Sequence, residues 1–422
     1  MASLRHRDPA SVYLLLRGAS QLFFALITVV NVVYQVEVAH LDPLGLLLVG
    51  SVLELTCLVL QVPTGLLADT YSRKLAIVAG TVLVGAGFLL EGLVPNFWAI
   101  LVAQGIWGAG ASLADGADDA WISDEVGVKR ASDLFLRGSQ VGQVGGLIGI
   151  AGGVGLATLR LNLPIVAGGL LTLLLGIVLF FLVREDGFVA APQHRDGGLA
   201  TMAAKARATL GVVKANRVLL SILLVTAIAG ASSEGFDRLY QVHLLKDVGL
   251  PHLAGVNALD WFALLPIGSI VLGLAVTELA RRHLDLQQHQ VAVRALFLAT
   301  AVLAAAVVAY AFAPTFPAAV VACWVVRNAD RVWQPVQRAW LNQSLEPATR
   351  ATLFSIDGQA NALGQIASGP ALGLLARTSI PGAIAVSGLL LLPALGVFVR
   401  ESRKPRWEAG RREELAVDDG GQ

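Results

Sequence analysis

Single carboxylic acids stand deep inside two long apolar runs of the sequence, Glu54 in one and Asp260 in the other. Neither has a basic residue close by in its own run. A charge held in hydrocarbon costs about 2.5–3.5 kcal/mol even on the lowest scales, so a carboxyl there can carry a proton when its access to water changes. The alternative is a neutral acid that hydrogen-bonds a neighbouring helix. Glu234 and Asp115 are further candidates for proton coupling.

A second set of charges lies in two other apolar runs, one acidic and one mainly basic. Their members are Asp115, Asp118 and Asp119 in the first run, and Arg327, Asp330, Arg331 and Arg338 in the second. At helical spacing the arginines share one face with Gln334. Facing each other, the two runs could form a salt-bridge gate or bind a charged substrate. For Asp119 and Arg338 the competing explanation is that they snorkel to the lipid headgroups.

Other polar, charged and aromatic side chains of the apolar runs could line a cavity between helices. Polar groups inside a membrane-spanning segment usually face a cavity or a partner rather than lipid. The candidates for a substrate cavity are Asn31, Tyr34, Gln35, Trp107, Asp237, Arg238, Tyr240, Trp261, Arg327, Asp330 and Arg331.

The composition indicates that these apolar runs lie in a lipid membrane rather than in the core of a soluble protein. Of 422 residues, 55% are hydrophobic and 14% are charged, whereas soluble domains average about 25% charged residues. Twelve runs are long enough to cross the hydrocarbon as helices, and no alternating strand pattern is present. They cover residues 12–38, 44–68, 75–94, 98–122, 138–159, 163–183, 218–245, 253–278, 291–312, 317–341, 354–375 and 381–399. We predict an all-α integral membrane protein with twelve transmembrane helices, numbered here as spans 1 to 12.

The sequence also repeats itself. VYQV at residues 33–36 returns as LYQV at 239–242, and AWI at 120–122 returns as AWL at 339–341. In this register Glu54 aligns with Asp260, which predicts a similar depth for the two acids. Secondary transporters are built from such repeats, with the site between the halves. We predict pseudo-symmetric six-helix halves at 1–183 and 218–400, a cytoplasmic linker with an amphipathic helix at 184–217, and a charged cytoplasmic tail at 401–422.

Loop charges predict the orientation. Basic residues cluster in the loops on the side of both termini, and the opposite loops hold few of them. By the positive-inside rule both termini are then cytoplasmic, in a multi-pass protein of the cell (inner) membrane.

The loop between spans 2 and 3 reads GLLADTYSRK over residues 65–74. It resembles the cytoplasmic signature of the major facilitator superfamily, Gly-x-Leu-Ala-Asp-x-x-Gly-Arg-Lys, except that Ser72 stands where the family usually has Gly. The twelve spans, the two halves and the long central loop agree with this resemblance. It implies the major facilitator fold for nearly the whole chain.

In facilitators the acid of this signature lies against the start of span 11, which implies the same position for Asp69. A helix start offers unpaired N–H groups and a positive dipole end. Arg73 could then pair with Asp124 at the end of span 4. Gly65, Asp69, Arg73 and Asp124 would form a cytoplasmic latch that joins the halves when the cavity faces outward. The alternative is a solvated turn.

Further stretches resemble a drug-efflux branch with tetracycline-resistance-like and macrolide-efflux-like members. They include VPTG at 62–65, AWISDEVG at 120–127 and LRGSQ at 136–140. The resemblance implies a drug:proton antiporter, that is, proton-coupled multidrug efflux by alternating access and a part in antibiotic resistance. Its partners would be the lipid bilayer, a small amphipathic substrate and protons, with the protein acting as a monomer.

Two other classes of function stay open at this point. One is a facilitator for a nutrient or metabolite, and the other is a non-transporting scaffold or receptor, which leaves the charges inside the spans unexplained. An enzyme is not expected, because the sequence lacks the P-loop, His-Glu-x-x-His and paired Cys-x-x-Cys patterns. We therefore expect no cofactor and no metal site, and the net charge of +1 gives no field to attract nucleic acid.

The topology generates the first test. In a cysteine-free background, single cysteines at Asp42, Asn96 and Thr315 should react with an impermeant thiol reagent added outside the cell. Cysteines at Ser132 and Gln193 should react only after the membrane is opened. The reverse pattern of labelling would disprove the predicted orientation.

Overall fold

The computed structural model describes residues 8–188, 216–251, 256, 259–284, 288–343 and 350–403. The predicted amphipathic helix ahead of Asn216 lies outside the described residues, as does most of the C-terminal tail. The bounds predicted for the two halves at 1–183 and 218–400, the linker at 184–217 and the tail at 401–422 stay a prediction.

The first half folds into six spans, of which span 4 consists of two helices. Their bounds are Pro9–Glu37, Pro43–Thr70, Arg73–Leu93, Phe97–Ala114 with Ala117–Val126, Val128–Ala157 and Leu163–Leu182. Spans 2, 3 and 4 begin at N-caps. The side chains of Asp42, Ser72 and Asn96 each accept a hydrogen bond from the backbone N–H three residues on, which satisfies a donor that the helix leaves unpaired.

The second half supplies the other six spans. Their bounds are Arg217–His243 with a π-helical turn at Leu244–Val248, Asp260–His283, His289–Ala311, Phe316–Gln343, Arg350–Thr378, and Ile380–Leu389 with Leu392–Ser402. Ten segments of the described chain are long and apolar enough to cross a membrane. Spans 10 and 11 miss that criterion, although they are 28 and 29 residues long. Polar residues of both spans, among them Arg331 and Asp357, line cavities of the bundle.

The helix contacts repeat between the two halves. In the first half span 1 packs on spans 5 and 6, span 3 on spans 4 and 6, and span 2 on span 4. Each of these pairs recurs six spans later, as 7 with 11 and 12, 9 with 10 and 12, and 8 with 10. The chain is therefore an all-α membrane protein with two pseudo-symmetric six-helix halves.

Span 4 is not the continuous helix that its apolar run predicts. The helix stops at Ala114, the backbone of Asp115 is extended, and Gly116 takes a φ of +75°. Residues with a Cβ rarely adopt that conformation, whereas glycine does so at little cost. The break turns Asp115 into a residue of an irregular corner inside the bundle.

The halves meet closely at one face of the bundle, here called the Asp42 face. Arg377 Nε of span 11 lies 2.5 Å from Asp42 Oδ2 at the start of span 2. One turn inward, the backbone of Gly373 packs on Leu44, and that of Gly369 packs on Ser51. These glycines act in close helix packing, since a Cβ at either position would collide with span 2.

The opposite face, called the Asp69 face, is open between the halves. Gly65 near the end of span 2 and Gly358 near the start of span 11 both border open space. Spans 2 and 11 thus touch at the Asp42 face and diverge toward the Asp69 face. The structure is a transporter-like bundle with its central cavity exposed to the Asp69 side.

The glycine contact generates a prediction about the closed face. A Gly373→Leu substitution should force span 2 away, because overpacking a tight contact costs about 1–3 kcal/mol. A single cysteine at Ser51, which is 8% exposed, should then react several-fold faster with an impermeant reagent reaching it from the Asp42 face. Gly396→Leu is the matched control, because Gly396 borders open space. Equal rates in both variants would show that the face is closed by other contacts.

Candidate functional site

A cavity of about 1220 Å³ lies between the halves on the Asp69 side. Its walls come from spans 1, 2, 3, 4, 5 and 6 of the first half and spans 8, 10 and 11 of the second. Drug-sized ligands occupy sites of about 300–1,000 Å³, so the cavity has room for one such molecule with water.

The wall formed by the first half combines an apolar, aromatic part with charged residues at Arg17, Glu54 and the acids of span 4. Phe24 and Phe88 line the cavity. The ring of Trp107 lies 5.8 Å from Phe24 and 4.8 Å from Phe88 between centroids. Of the predicted aromatic candidates, Trp107 therefore supports the cavity wall from behind. The wall can accept an apolar or aromatic part of a ligand.

The acids of span 4 pair with span 1. Arg17 Nη1 lies 3.1 Å from Asp118 Oδ2, and the Tyr13 hydroxyl donates to Asp119 at 2.7 Å. Asp115 lines the cavity at the helix break. Among the described residues, no ion pair joins these acids to the arginines of span 10. The open cavity lies between the two spans, so a salt-bridge gate stays a prediction for a closed state.

The arginines of span 10 find partners within the second half. Arg327 Nη1 lies 2.5 Å from Asp237 Oδ1 of span 7, and its guanidinium covers the rings of Phe236 and Tyr240 at 5.1 and 4.8 Å. Arg331 Nη1 donates to the Ser269 carbonyl of span 8 at 2.9 Å. Arg327 and Arg331 thus find their partners within the second half, as expected where water is scarce.

Glu54 lies at the junction of the halves and lines the cavity. One turn toward the Asp42 face, Gly50 contacts both the Glu234 carboxylate and the Arg238 guanidinium of span 7. Glu234 is 2% exposed and pairs with Arg238, Oε1 to Nε, at 3.3 Å. Arg238 also interacts electrostatically with Glu54. Two acids and one arginine are therefore shared between spans 2 and 7, in a cluster that joins the halves.

Asp260 does not share the depth of Glu54, which corrects the expectation from the repeat. It is the first residue of its helix, at the Asp42 face, whereas Glu54 lies in the middle of Pro43–Thr70. The helix of span 8 begins later than its apolar run, so the alignment does not fix the depth. The neighbouring Trp261 donates to the Pro251 carbonyl and packs on Phe316, so it too lies at that face and away from the cavity.

Asn31, Tyr34 and Gln35 form a buried network rather than a cavity wall. Their partner is Glu91 of span 3, which is 1% exposed. Gln35 Nε2 donates to Glu91 Oε1 at 2.7 Å, and the Tyr34 hydroxyl donates to the Glu91 carbonyl at 2.7 Å. Gln104 Nε2 donates to Glu91 Oε2 at 3.1 Å, and Asn31 lies beside the carboxyl. Sequence reasoning missed Glu91 as a site residue, although it is a lone acid in an apolar run like Glu54.

A side chamber of about 360 Å³ opens between spans 7, 10 and 11. Asp330 lines it and accepts a hydrogen bond from Gln334 Nε2 at 2.8 Å. Asp357, at its other end, accepts from Thr226 at 2.7 Å and from Gln337 at 2.9 Å. Gly358 borders both the chamber and the central cavity, so the two spaces adjoin.

The signature loop holds its charges within the first half. Arg73 lies 3.0 Å from Asp124, Nη1 to Oδ2, and 3.7 Å from Asp69, Nη2 to Oδ1. Asp69 is 58% exposed. The Glu185 carboxylate, just beyond span 6, accepts from the Ser72 hydroxyl at 2.6 Å and from the Arg73 and Lys74 backbone N–H groups. Among the described residues, no contact between Asp69 and span 11 is present, so the latch across the halves is not engaged in this open arrangement.

Two repeated six-helix halves around a central cavity, sealed at one face, define a secondary transporter. Residues 13–329 match the model of the Major Facilitator Superfamily, and the chain belongs to this family of membrane transporters.

Individual relatives agree with the family. The chain is 22% identical over 359 residues to "Uncharacterized MFS-type transporter YxaM" of Bacillus subtilis (strain 168), covering 84% of this chain and 86% of the relative. Crystal structures with the same fold include the nucleoside transporter NupG, with a TM-score of 0.68 and 14% identity over 94% of this chain and all of the other. The peptide transporter POT in complex with sulfate gives a TM-score of 0.67 and 17% identity over 94% and 96%.

The loop geometry generates a prediction for Asp69→Asn. The acid would contact the start of span 11 only when the Asp69 face closes, a contact typically worth about 0.3–1 kcal/mol. Losing it should favour the open state by about two- to fivefold and strongly lower transport without removing the protein from the membrane. Cys57 lines the cavity, so its labelling rate in a Cys323→Ser background reports the open state.

The matched control is Asp186→Asn, since that side chain is 78% exposed in the loop beyond span 6. Unchanged Cys57 labelling together with wild-type flux in the Asp69 variant would rule out the latch.

Proposed function

We propose that the protein is a proton-coupled secondary transporter that exports amphipathic small molecules by alternating access. The supporting observation is the combination of a large, mostly apolar cavity with an acid–arginine cluster placed where the two halves meet. The assignment to a drug:proton antiporter branch rests on the sequence resemblance described above and is part of this proposal.

The cavity supports an amphipathic substrate. Its apolar wall around Phe24 and Phe88 would hold the apolar part of the molecule. The opposite wall carries Arg331 and leads into the charged side chamber. A ligand with an apolar body and a polar end would match both walls at once.

The cluster of Glu54, Glu234 and Arg238 supports coupling to protons. Arg238 forms its ion pair with Glu234, and among the described residues no basic side chain lies within ion-pair distance of Glu54. Taking up a proton would remove the charge of Glu54 in a place where an uncompensated charge is costly. Because Glu54 also lines the cavity, the proton and a bound substrate would compete for the same electrostatic environment, as antiport requires.

The movement would follow from the contrast between the two faces. Spans 2 and 11 touch at the Asp42 face and diverge at the Asp69 face, so rocking the halves would exchange the open and closed ends. With the Asp69 face toward the cytoplasm, the structure is the state that loads an exported substrate. We place the protein in the cell (inner) membrane as a monomer, with both termini cytoplasmic and halves at 1–183 and 218–400.

A nutrient or metabolite transporter is the second candidate. Its support is the structural likeness to a nucleoside transporter and a peptide transporter. The same cavity and cluster would then drive import with protons. The direction of proton movement during substrate flux separates the two candidates.

The coupling hypothesis is tested in proteoliposomes with a substrate found by a growth-inhibition panel in an efflux-deficient host. Glu54→Gln and Glu234→Gln should fold, because an amide keeps the shape of the acid. At least one of them should lose substrate-induced proton movement and uphill export while it keeps downhill exchange. Asp260→Asn tests the remaining acid of the predicted pair, and we expect the smaller effect from it because of its place at the Asp42 face.

Glu278→Gln serves as the control, since Glu278 forms an exposed pair with Arg281 and Arg282 at the end of span 8. If proton movement persists in a variant lacking Glu54, Glu234 and Asp260, these acids are structural and the carrier must be sought at Asp115.

A further inference from the structure

The first half contains a buried acid that lines neither the central cavity nor the side chamber. Glu91 lies within one turn of the end of span 3, toward the Asp42 face, and is 1% exposed. Its polar neighbours are Asn31 and Gln35 of span 1 and Gln104 of span 4. These four side chains, here called the Glu91 cage, all belong to one half.

The hydrogen-bond donors around Glu91 are neutral. Gln35 Nε2 lies 2.7 Å from Glu91 Oε1, and Gln104 Nε2 lies 3.1 Å from Oε2. Among the described residues, no arginine, lysine or histidine lies within 4.0 Å of this carboxylate, and Arg238, which attracts it electrostatically from span 7, has its ion pair with Glu234. Buried charges in proteins are paired or bound to metal ions, and neutral amides do not cancel the charge of Glu91.

The cage also contains oxygen atoms without donors. Asn31 Oδ1 and Gln104 Oε1 are buried, and among the described residues neither has a hydrogen-bond partner. The two side chains are 9% and 1% exposed. A buried acceptor is costly to leave unpaired. A cation is the kind of ligand that would satisfy the carboxylate and both amide oxygens at once.

The composition of the cage indicates which cation fits. Turning an amide group over exchanges its N–H donors for its carbonyl oxygen, so the amides beside Glu91 can present oxygen to a ligand. Carboxylate and carbonyl oxygens suit hard cations, whereas zinc and copper prefer nitrogen and sulfur. One carboxylate balances one positive charge, and a divalent ion would leave an excess where an uncompensated charge is costly. The chemistry therefore favours a monovalent metal ion.

We propose that the Glu91 cage binds a monovalent metal cation, with the Glu91 carboxylate as the charged ligand and the amide oxygens of Asn31 and Gln104 as neutral ligands. The Tyr34 hydroxyl, which donates to the Glu91 carbonyl at 2.7 Å, holds span 1 against span 3 beside this site. The bound ion joins spans 1, 3 and 4 and so stabilises the first half. The site is apart from the Glu54 cluster and does not depend on the proposed coupling or substrate.

The test uses the purified full-length protein in detergent with Na⁺ as the probe, so it needs no transport substrate. Replacing choline chloride by NaCl at constant ionic strength should raise the melting temperature by about 2–4 °C, because a ligand of the folded state stabilises that state. Binding of radioactive Na⁺ should saturate. Glu91→Gln keeps the shape of the side chain and removes its charge, so it should lower the Na⁺ affinity by about tenfold or more and abolish the rise in melting temperature.

Glu54→Gln is the matched control, because it removes the acid of the other cluster and should keep the sodium effect. A sodium effect that persists in Glu91→Gln overturns the inference. Wild-type protein that melts at the same temperature in both salts and binds no Na⁺ overturns it as well, since Glu91 is then a neutral acid held by hydrogen bonds. If Glu91→Gln does not fold, Gln104→Met, which keeps the length of the side chain without its oxygen, must show the same loss. None of these results bears on the proposed transport, which proton movement in proteoliposomes tests separately.

Discussion

The cost of an unpaired charge in hydrocarbon governs the arrangement of this molecule. The acids of span 4 are matched by Arg17 and Tyr13 of span 1, and Arg327 of span 10 is matched by Asp237 of span 7. Most charges inside each half therefore have a partner within that half, so the half can move without exposing them to lipid. Contacts between the halves include glycine packing, the Asp42–Arg377 pair, the Glu54 cluster and the apolar packing of Val33 and Leu47 on the second half.

Pairing charges mainly within each half separates two requirements that a transporter must combine. The interior of each half has to stay rigid, and the interface has to be remade in every cycle. Gly369 and Gly373 let spans 2 and 11 approach closely at the Asp42 face. The Glu54 cluster then puts a titratable element at the interface, where a change of one proton can bias the whole movement.

The helices and the duplication could be predicted from the sequence, because apolar length and repeated motifs record them directly. The break at Gly116 could not be predicted from the sequence, because Asp-Gly inside an apolar run is compatible with either a turn or a helix. The predicted depth of Asp260 was wrong for a different reason. A repeat aligns residues but does not determine where a helix starts. The role of Glu91 was hidden because its partners Asn31, Gln35 and Gln104 come from other spans, and only packing brings them together.

The anchoring of Glu185 on the start of span 3 has a consequence for how the halves are connected. The first half holds the chain as far as residue 188, and the second half begins with the Asn216 cap of span 7. Glu185 thus fixes the point at which the chain leaves the first half, beside the signature loop. Any displacement of span 3 when the halves rock would carry that exit point with it.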